Sequence, residues 1–542
     1  MKKVSKLITA ASVLGMAVVA ASCSKSSGGS SQKLEMWVGF GNDYTGEITR
    51  VVEEYNASAS NYKVNLTTKG AYTKLETAIV NSIGDTSYPN IANGYPDHFA
   101  EYVHAGIMVP LNKYIKAWNE KNGKNLMDDF YDAYEKENEN IYFDQTSSEK
   151  VIMGLPFNKS TEVMIANGHL WDYVRSVDSV NIPDHYPQSW QELRDVGPHI
   201  VTAMSAAMNT TNNYLWGVVD PATNVASGFE FTSTNSAPSG KVLIQDFSQV
   251  QSANDFRVLG YDDGGNAFTT ILRQWGVTYT DFSREIYFEA PAEYGRATFW
   301  RDSYNDVNQK ERTLDAMMFF KDLFNKKIFG LPAAFGESQY CTKPFKAGKC
   351  MFTIGSSGGL SNSVDASNRI DLNHIPYYDD GATVRKAVIS QGTSLGLFNQ
   401  FSSKENAEAE RQAAFDAMVA ICTGELQGSW VSATGYFPSS ESAMNSTSYK
   451  ALLEKPDSDA SPLQKMYKAA AKLNKEVYDK AEENKWDKFV DHGFLGSSAI
   501  RTECGSIIQN ICAAEGINTQ ADVENYLNTV WAKTTFNTVR SK

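Results

Sequence analysis

Cysteine is scarce in this chain of 542 residues: there are six, one at position 23 and five between 341 and 512. That sparsity excludes a small disulfide-stapled scaffold. Neither CxxC nor HExxH occurs, and the seven histidines fall at no ligand-like spacing, so the pattern supports no metal centre and no cofactor is expected. Positive charge is also short, with 50 Lys and Arg against 63 Asp and Glu, a net charge of −13 and no dense basic run. Nucleic acid, which is held chiefly through phosphate neutralisation, is therefore not the expected partner. Long apolar runs are missing apart from "LITAASVLGMAVVAA" at 7–21, and its 15 residues fall short of the about 20 that a membrane span needs.

What stands around that run gives it a meaning. Lys2, Lys3 and Lys6 precede it and small residues follow, the pattern of a signal peptide over 1–22. Ala20, Ala21, Ser22 and Cys23 resemble a bacterial lipobox. The resemblance implies cleavage before Cys23, a lipid on its sulfur, and an exported protein anchored to the cell membrane at the periplasmic face or cell surface. The Ser/Gly-rich residues up to 33 read as a flexible tether reaching about 18 Å. Cys341 and Cys350 are either bridged or buried as thiols, whereas Cys504 and Cys512 are eight apart in a helix-like run and too distant to bridge.

With 42% hydrophobic residues the mature chain is core-forming and long enough for two domains. Its first hundred residues alternate. "KLEMWVGF" (33–40) reads as a strand, about 46–57 as a helix, "YKVNLTT" (62–68) as a strand, "TKLETAIVNSI" (73–83) as a helix and "YPNIANGYP" as a strand and turn. Alternation of this kind predicts a parallel α/β lobe whose strand-end loops form a crevice. Helices are predicted at 315–330, closed by lysines and Gly330, at 407–422 and at 462–485. Between about 220 and 310 the pattern weakens, as insertions would cause. The run "GLPFNKSTEVMIAN" (154–167) is the odd one: two apolar flanks are split by Pro156 and five polar or charged residues, Asn158 to Glu162. It is expected to end one strand, cross at a hinge and begin another element. Within it, Ser160 and Thr161 are candidate caps of a helix starting near Glu162, and Lys159 is expected to be solvated or ion-paired.

Five segments in order carry a resemblance to a known family. They are "EMWVGF" (35–40), "IGDTSYPNIANGYPDHFAEYVHAGIMVPL" (83–111), "GLPFNKSTEVMIANGHLWD" (154–172), "FKAGKCMFTIGSSGG" (345–359) and "FDAMVAICTGELQGSWVSATGYFPSS" (415–440). The chain resembles the extracellular solute-binding proteins of ABC importers, in the branch of maltose-binding and glycerol-phosphate-binding proteins. The resemblance implies an α/β, two-lobed periplasmic-binding-protein fold of the class II type, with discontinuous lobes around a hinge and ligand cleft. The first lobe is expected from 34–157 and 386–435, the second from 158–385 and 436–542. The implied function is capture of a sugar or sugar-like solute for an ABC permease by a monomeric, non-enzymatic protein. The alternative is a tethered binding or sensory lipoprotein outside transport.

A sugar cleft needs aromatic faces for CH surfaces and polar groups for hydroxyls. The candidates sit at the ends of strands and in the crossings. They are Trp37, Asn42 and Asp43; Tyr95 and Asp97; Asn158 and Glu162; Asp220; Trp275; Ser356 and Ser357; Gly392; and Tyr436. Glu162 and Asp220 stand where the resemblance implies acidic ligand contacts, although Asp43, Asp97 and Asp220 suit turn and cap duty equally. "GSSGG" (355–359) also fits a nucleophile elbow, with Asp365 and His374 following in Ser–Asp–His order, which is the one pointer towards a hydrolase.

Overall fold

The computed structural model describes residues 32–59, 61–139, 141–143, 148–208, 212–250, 252, 255–284, 295–364, 369–479 and 485–538. Cys23 and Asp365 lie outside them. The opening alternation is present: strand β1 (Gln32–Val38), helix Asn42–Ser58, β2 (Tyr62–Thr68), helix Tyr72–Asn81, β3 (Ile91–Gly94) and helix Pro96–His104. β1 pairs in parallel with both β2 and β3. Leu34, Met36 and Val38 face the core while the intervening side chains are partly or fully exposed, as a strand covered by helices on one face requires.

β4 runs from Gly154 to Asn167, and all 14 of its residues are buried. The expected break does not occur, and no helix starts near Glu162. β4 is one continuous strand, with Pro156 opposite Ser394 beside a register shift at Thr393/Ser394. A proline has no N–H for the ladder, and an irregularity in the pairing is where it is tolerated.

The chain continues through a small sheet of β5 (Tyr214–Val219), β6 (Ala226–Thr232) and β7 (Val242–Asp246), then β8 (Arg257–Tyr261). β9 (Thr280–Asp281) and β10 (Gly295–Ala297) form another small sheet with β17 (Asn537–Thr538). There follow β11 (Phe329–Gly330), β12 (Cys350–Ser356), β13 (Ile370–Asn373), β14 (Tyr378–Asp379), β15 (Val384–Leu397) and β16 (Trp486–Phe489). The main sheet has 11 strands in the order β11-β8-β12-β4-β15-β3-β1-β2, with β13, β14 and β16 attached at its middle.

Two strands hold this sheet together. The second half of β4 pairs with β12 and β13, and its first half with β15. The second half of β15 pairs with β3, and its first half with β16. Each long strand is therefore shared between two lobes. One core gathers Leu34, Met36, Val51, Leu155, Phe415 and Trp430. A second gathers Trp190, Phe268, Met317, Phe320 and Ile507, and a smaller third gathers Leu75, Phe99, Tyr102 and Phe398. Tyr449, Leu452, Met466 and Tyr467 pack with the first of these, in a cluster that also holds Leu34 and Met36 of β1 and Phe345 and Leu360.

Helix Ala407–Cys422 has the predicted bounds. Helix Gln309–Asn325 stops earlier than predicted, because Lys327 turns to a φ of +61° and Gly330 enters β11. Helix Pro462–Leu473 passes into a single π turn at Asn474–Tyr478. All five described cysteines are free and buried, Cys341 and Cys350 included. No helix among the described residues is long and apolar enough to cross a membrane.

Candidate functional site

The C-terminal end of β3 delivers Tyr95 and Asp97 to the start of the following helix, where Pro96 occupies the first turn and the Asp97 carboxylate accepts from the His98 N–H at 3.0 Å. These residues line a cavity of about 60 Å³. Asn266 and Arg501, from helices Gly264–Gln274 and Ser497–Ala513, and Ser390, Gln391 and Gly392 of β15 line it as well. Both lobes and a shared strand thus meet in one place.

Arg501 is the electrostatic centre of that cavity. It donates to the Asn266 side chain and lies 3.7 Å from Asp491. Burial works against its charge, but Asp491, Asp97 and Asp263 hold the guanidinium protonated well above its ordinary range. Asp491 is pushed up to about 7 by burial, Arg501 pulling it back and Asp97 pushing it further. His492, beside it, is lowered by burial. A fixed guanidinium, several carboxylates and the Tyr95 hydroxyl form a donor and acceptor set suited to hydroxyl groups.

Next to the cavity lies an aromatic wall. The Tyr72 ring meets Tyr95 edge-on at 5.2 Å, and its hydroxyl is 3.4 Å from that of Tyr436. Tyr436 stacks on Trp430 at 6.0 Å. Gly358 faces the Tyr436 ring so closely that a Cβ there would lie 2.4 Å from it, and its carbonyl accepts from the Tyr44 hydroxyl. Asn158 donates to the Tyr72 hydroxyl at 3.3 Å and accepts from Thr393. Ser356 donates to Ser160 at 3.1 Å, and the Ser357 Oγ accepts from the Thr161 N–H at 3.3 Å.

Of the residues singled out from sequence, Tyr95, Asp97, Asn158, Ser356, Ser357, Gly392 and Tyr436 are therefore brought together. Asn42 and Asp43 begin the helix after β1, and their side chains lie outside the described set. The remaining four are elsewhere. Trp37 lies on β1 under the Lys69 ammonium, 3.7 Å from the ring centroid. Asp220 is exposed in the β5–β6 turn, accepting from the Ala222 N–H at 2.8 Å, so its carboxylate serves its own backbone. Trp275 is buried in the second core and donates to Asp315 at 2.8 Å.

Glu162 is only 1% exposed and accepts from Tyr261 at 2.5 Å and Thr270 at 3.4 Å, inside the second lobe and off the cavity wall. Burial pushes its carboxyl up to about 8, against the pull of the Tyr261 and Thr270 hydroxyls. A carboxyl raised on folding stabilises most below its unfolded value, and that contribution fades as pH rises from 4.5 through 8. Glu162→Gln carries no such proton. Between about pH 5 and pH 9 the wild type is expected to lose on the order of 4 kcal/mol relative to this variant, since each tenfold change in proton affinity is worth about 1.4 kcal/mol. Denaturation midpoints measured across that range check it, and parallel curves would overturn it.

Sequence reasoning missed Arg501, Asn266 and Asp491. Arg501 had one readable signal: with Ser497, Cys504 and Ile508 it falls on the buried stripe of helix Ser497–Ala513, where an arginine calls for partners. The elbow-like Ser357 is fully buried. His374 is engaged elsewhere, its ring nitrogens 2.8 Å from the Ile375 carbonyl and 2.7 Å from Gln188.

Comparison with known proteins agrees with this architecture. The family model for bacterial extracellular solute-binding proteins matches residues 50–456. No curated protein matches by sequence. Among solved structures, UgpB of Mycobacterium tuberculosis with glycerophosphocholine is similar at TM-score 0.60 and 13% identity, covering 92% of this chain and 98% of that one. Lmo0181 of Listeria monocytogenes with cycloalternan gives 0.61 at 13% identity, covering 94% and 100%. The maltotriose-bound MalE domain of Bdellovibrio bacteriovorus gives 0.55 at 14% identity, covering 92% and 98%. Two lobes sharing two long strands, a polar cavity where the lobes meet and a family match over most of its length make this chain a member of the bacterial extracellular solute-binding proteins.

Proposed function

We propose that the chain is the solute-capturing component of an ABC importer, tethered through a lipid on Cys23, and that it delivers a sugar or sugar-like solute to a permease. The observation that carries this reading is the cavity to which both lobes and a shared strand contribute. A solute there touches both Asp97 and Arg501, so its binding energy favours the closed arrangement over the open one. At about 60 Å³ the cavity is smaller than the roughly 300–1,000 Å³ of ligand pockets. A sugar ring therefore enters only when the walls separate, by rotation about β4 and β15. The adjoining rings of Tyr95, Tyr72 and Tyr436 offer flat faces to its CH surfaces.

The glycerophosphocholine, cycloalternan and maltotriose held by the three similar structures support a hydroxyl-bearing solute. The apolar h-region and the small residues before Cys23 support the anchor, and a Cys23→Ala chain that stayed in the membrane fraction would remove it. A thermal-shift screen of sugars, polyols and glycerol phosphates identifies the solute. Against that solute Arg501→Met is expected to lose about 10- to 100-fold in affinity, since hydrogen bonds to charged groups contribute about 1.5–3 kcal/mol. Calorimetric titration reads this, and unchanged affinity in a folded variant would place the solute elsewhere. Steady product formation from that solute would instead mean that the protein is an enzyme.

A further inference from the structure

One layer of side chains behind the cavity lies a much larger hollow, a groove of about 1040 Å³. Glu137 lines the cavity and pairs with Lys159, whose ammonium sits 5.4 Å over the Tyr134 ring, and Tyr134 lines the groove. The groove is lined by Phe437 and Tyr449 of the first core, by Tyr478 and Trp486 of the second, and by Tyr131 and Tyr134. Tyr131 and Leu453, at 36% and 37% exposure, are among the few large apolar side chains left exposed among the described residues, and both line this groove.

Its ionic groups are unevenly engaged. The four carboxylates each have a cation: Asp457 has Lys468 at 2.5 Å, Asp479 has Lys488 at 2.9 Å, Asp487 has Arg273 at 2.6 Å and Glu476 has Lys472 at 3.9 Å. Lys465 and Lys475 also line the groove, are exposed, and enter no ion pair among the described residues. The groove thus combines aromatic faces with two exposed lysines, of which Lys465 also acts on the Asp457 carboxylate without forming an ion pair with it. Rings bind the former, and a carboxylate, sulfonate or phosphate binds the latter.

We propose that this groove is a second ligand site, separate from the cleft, for a small ring compound carrying an anionic group. Because its walls come from both lobes, an occupant bridges them and favours the lobe arrangement in which the groove has this shape. The proposal does not rest on the identity of the transported solute.

Anilinonaphthalene sulfonate has this chemistry and reports binding by fluorescence. Titrated into the folded mature chain, it is expected to bind saturably at one equivalent. The Lys465→Glu/Lys475→Glu double variant is expected to weaken that binding at least tenfold, and Tyr131→Ala several-fold, both with unchanged circular dichroism. Arg501→Met, altered only in the cleft, is expected to bind the dye as the wild type does. Absence of saturable binding, indifference to the lysine and tyrosine changes, or loss of binding in Arg501→Met would each overturn the proposal.

Discussion

Lys159→Met is expected to destabilise the protein by about 3–5 kcal/mol, the range for removing one partner of a buried ion pair. Lys159 is fully buried and Glu137 nearly so, and the two are directly paired. The same ammonium donates to the Gly392 carbonyl at 3.1 Å, and the other Glu137 oxygen accepts from Ser390 at 2.6 Å. Burial lowers the Lys159 pKa, and the Glu137 carboxylate opposes that shift. Without the lysine a carboxylate is left in the interior with one hydroxyl for company. This pair does more than fill space. It fastens Glu137 to β4 through Lys159 and to β15 through Ser390, clamping the two shared strands at the edge of the cavity. The double variant Lys159→Met/Glu137→Leu, which removes both charges, is expected to recover most of the loss, because well-packed apolar replacements of a buried pair are often neutral. Urea unfolding of the single and double variants measures both. A loss below about 1 kcal/mol in Lys159→Met would show that water reaches the pair after all.

That pair also explains why the residues of β4 suggest a break where the strand runs on. Local pattern is a guide where an element's surroundings are uniform, as in β1 and helix Ala407–Cys422, whose burial follows the strand or helix period. In β4 each polar side chain is satisfied by a residue distant in sequence: Asn158 by Thr393, Lys159 by Glu137, Ser160 by Ser356, Thr161 by the Ile389 carbonyl and Glu162 by Tyr261. Such a strand carries the composition of a turn and the burial of a core, and only the partners resolve the contradiction. The candidate cleft divides in the same way. Tyr95 and Asp97 are readable because they end a strand of an alternating lobe. Asn266 and Arg501 belong to helices about 170 and 400 residues further along, brought alongside by the return of the chain across the sheet. Asp220 and Trp275 show the reverse pattern. Their residue types suit a sugar cleft, but an Asx turn and an indole-to-carboxylate bond in the core use them locally.

Gly392→Ala is expected to cost about 3 kcal/mol or more and to disturb the cleft as well as the fold, since left-handed strain contributes roughly 1–2 kcal/mol and overpacking a further 1–3 kcal/mol. Gly392 holds a φ of +105°, outside the region that side-chain-bearing residues adopt readily. A Cβ built there lies 1.8 Å from the Asn158 carbonyl oxygen and 2.9 Å from the Lys159 Cα, both backbone atoms of the neighbouring shared strand. Rotamer changes cannot relieve that clash, so β15 and β4 must part or the ladder must shift. Any parting of these strands also pulls the Lys159–Gly392 bond and moves the β15 residues that line the cavity. Weaker solute binding is therefore expected alongside a lower denaturation midpoint. A Gly392→Ala protein with wild-type stability would show that the two shared strands slide past each other freely, and that the hinge is set by something other than their close contact at this glycine.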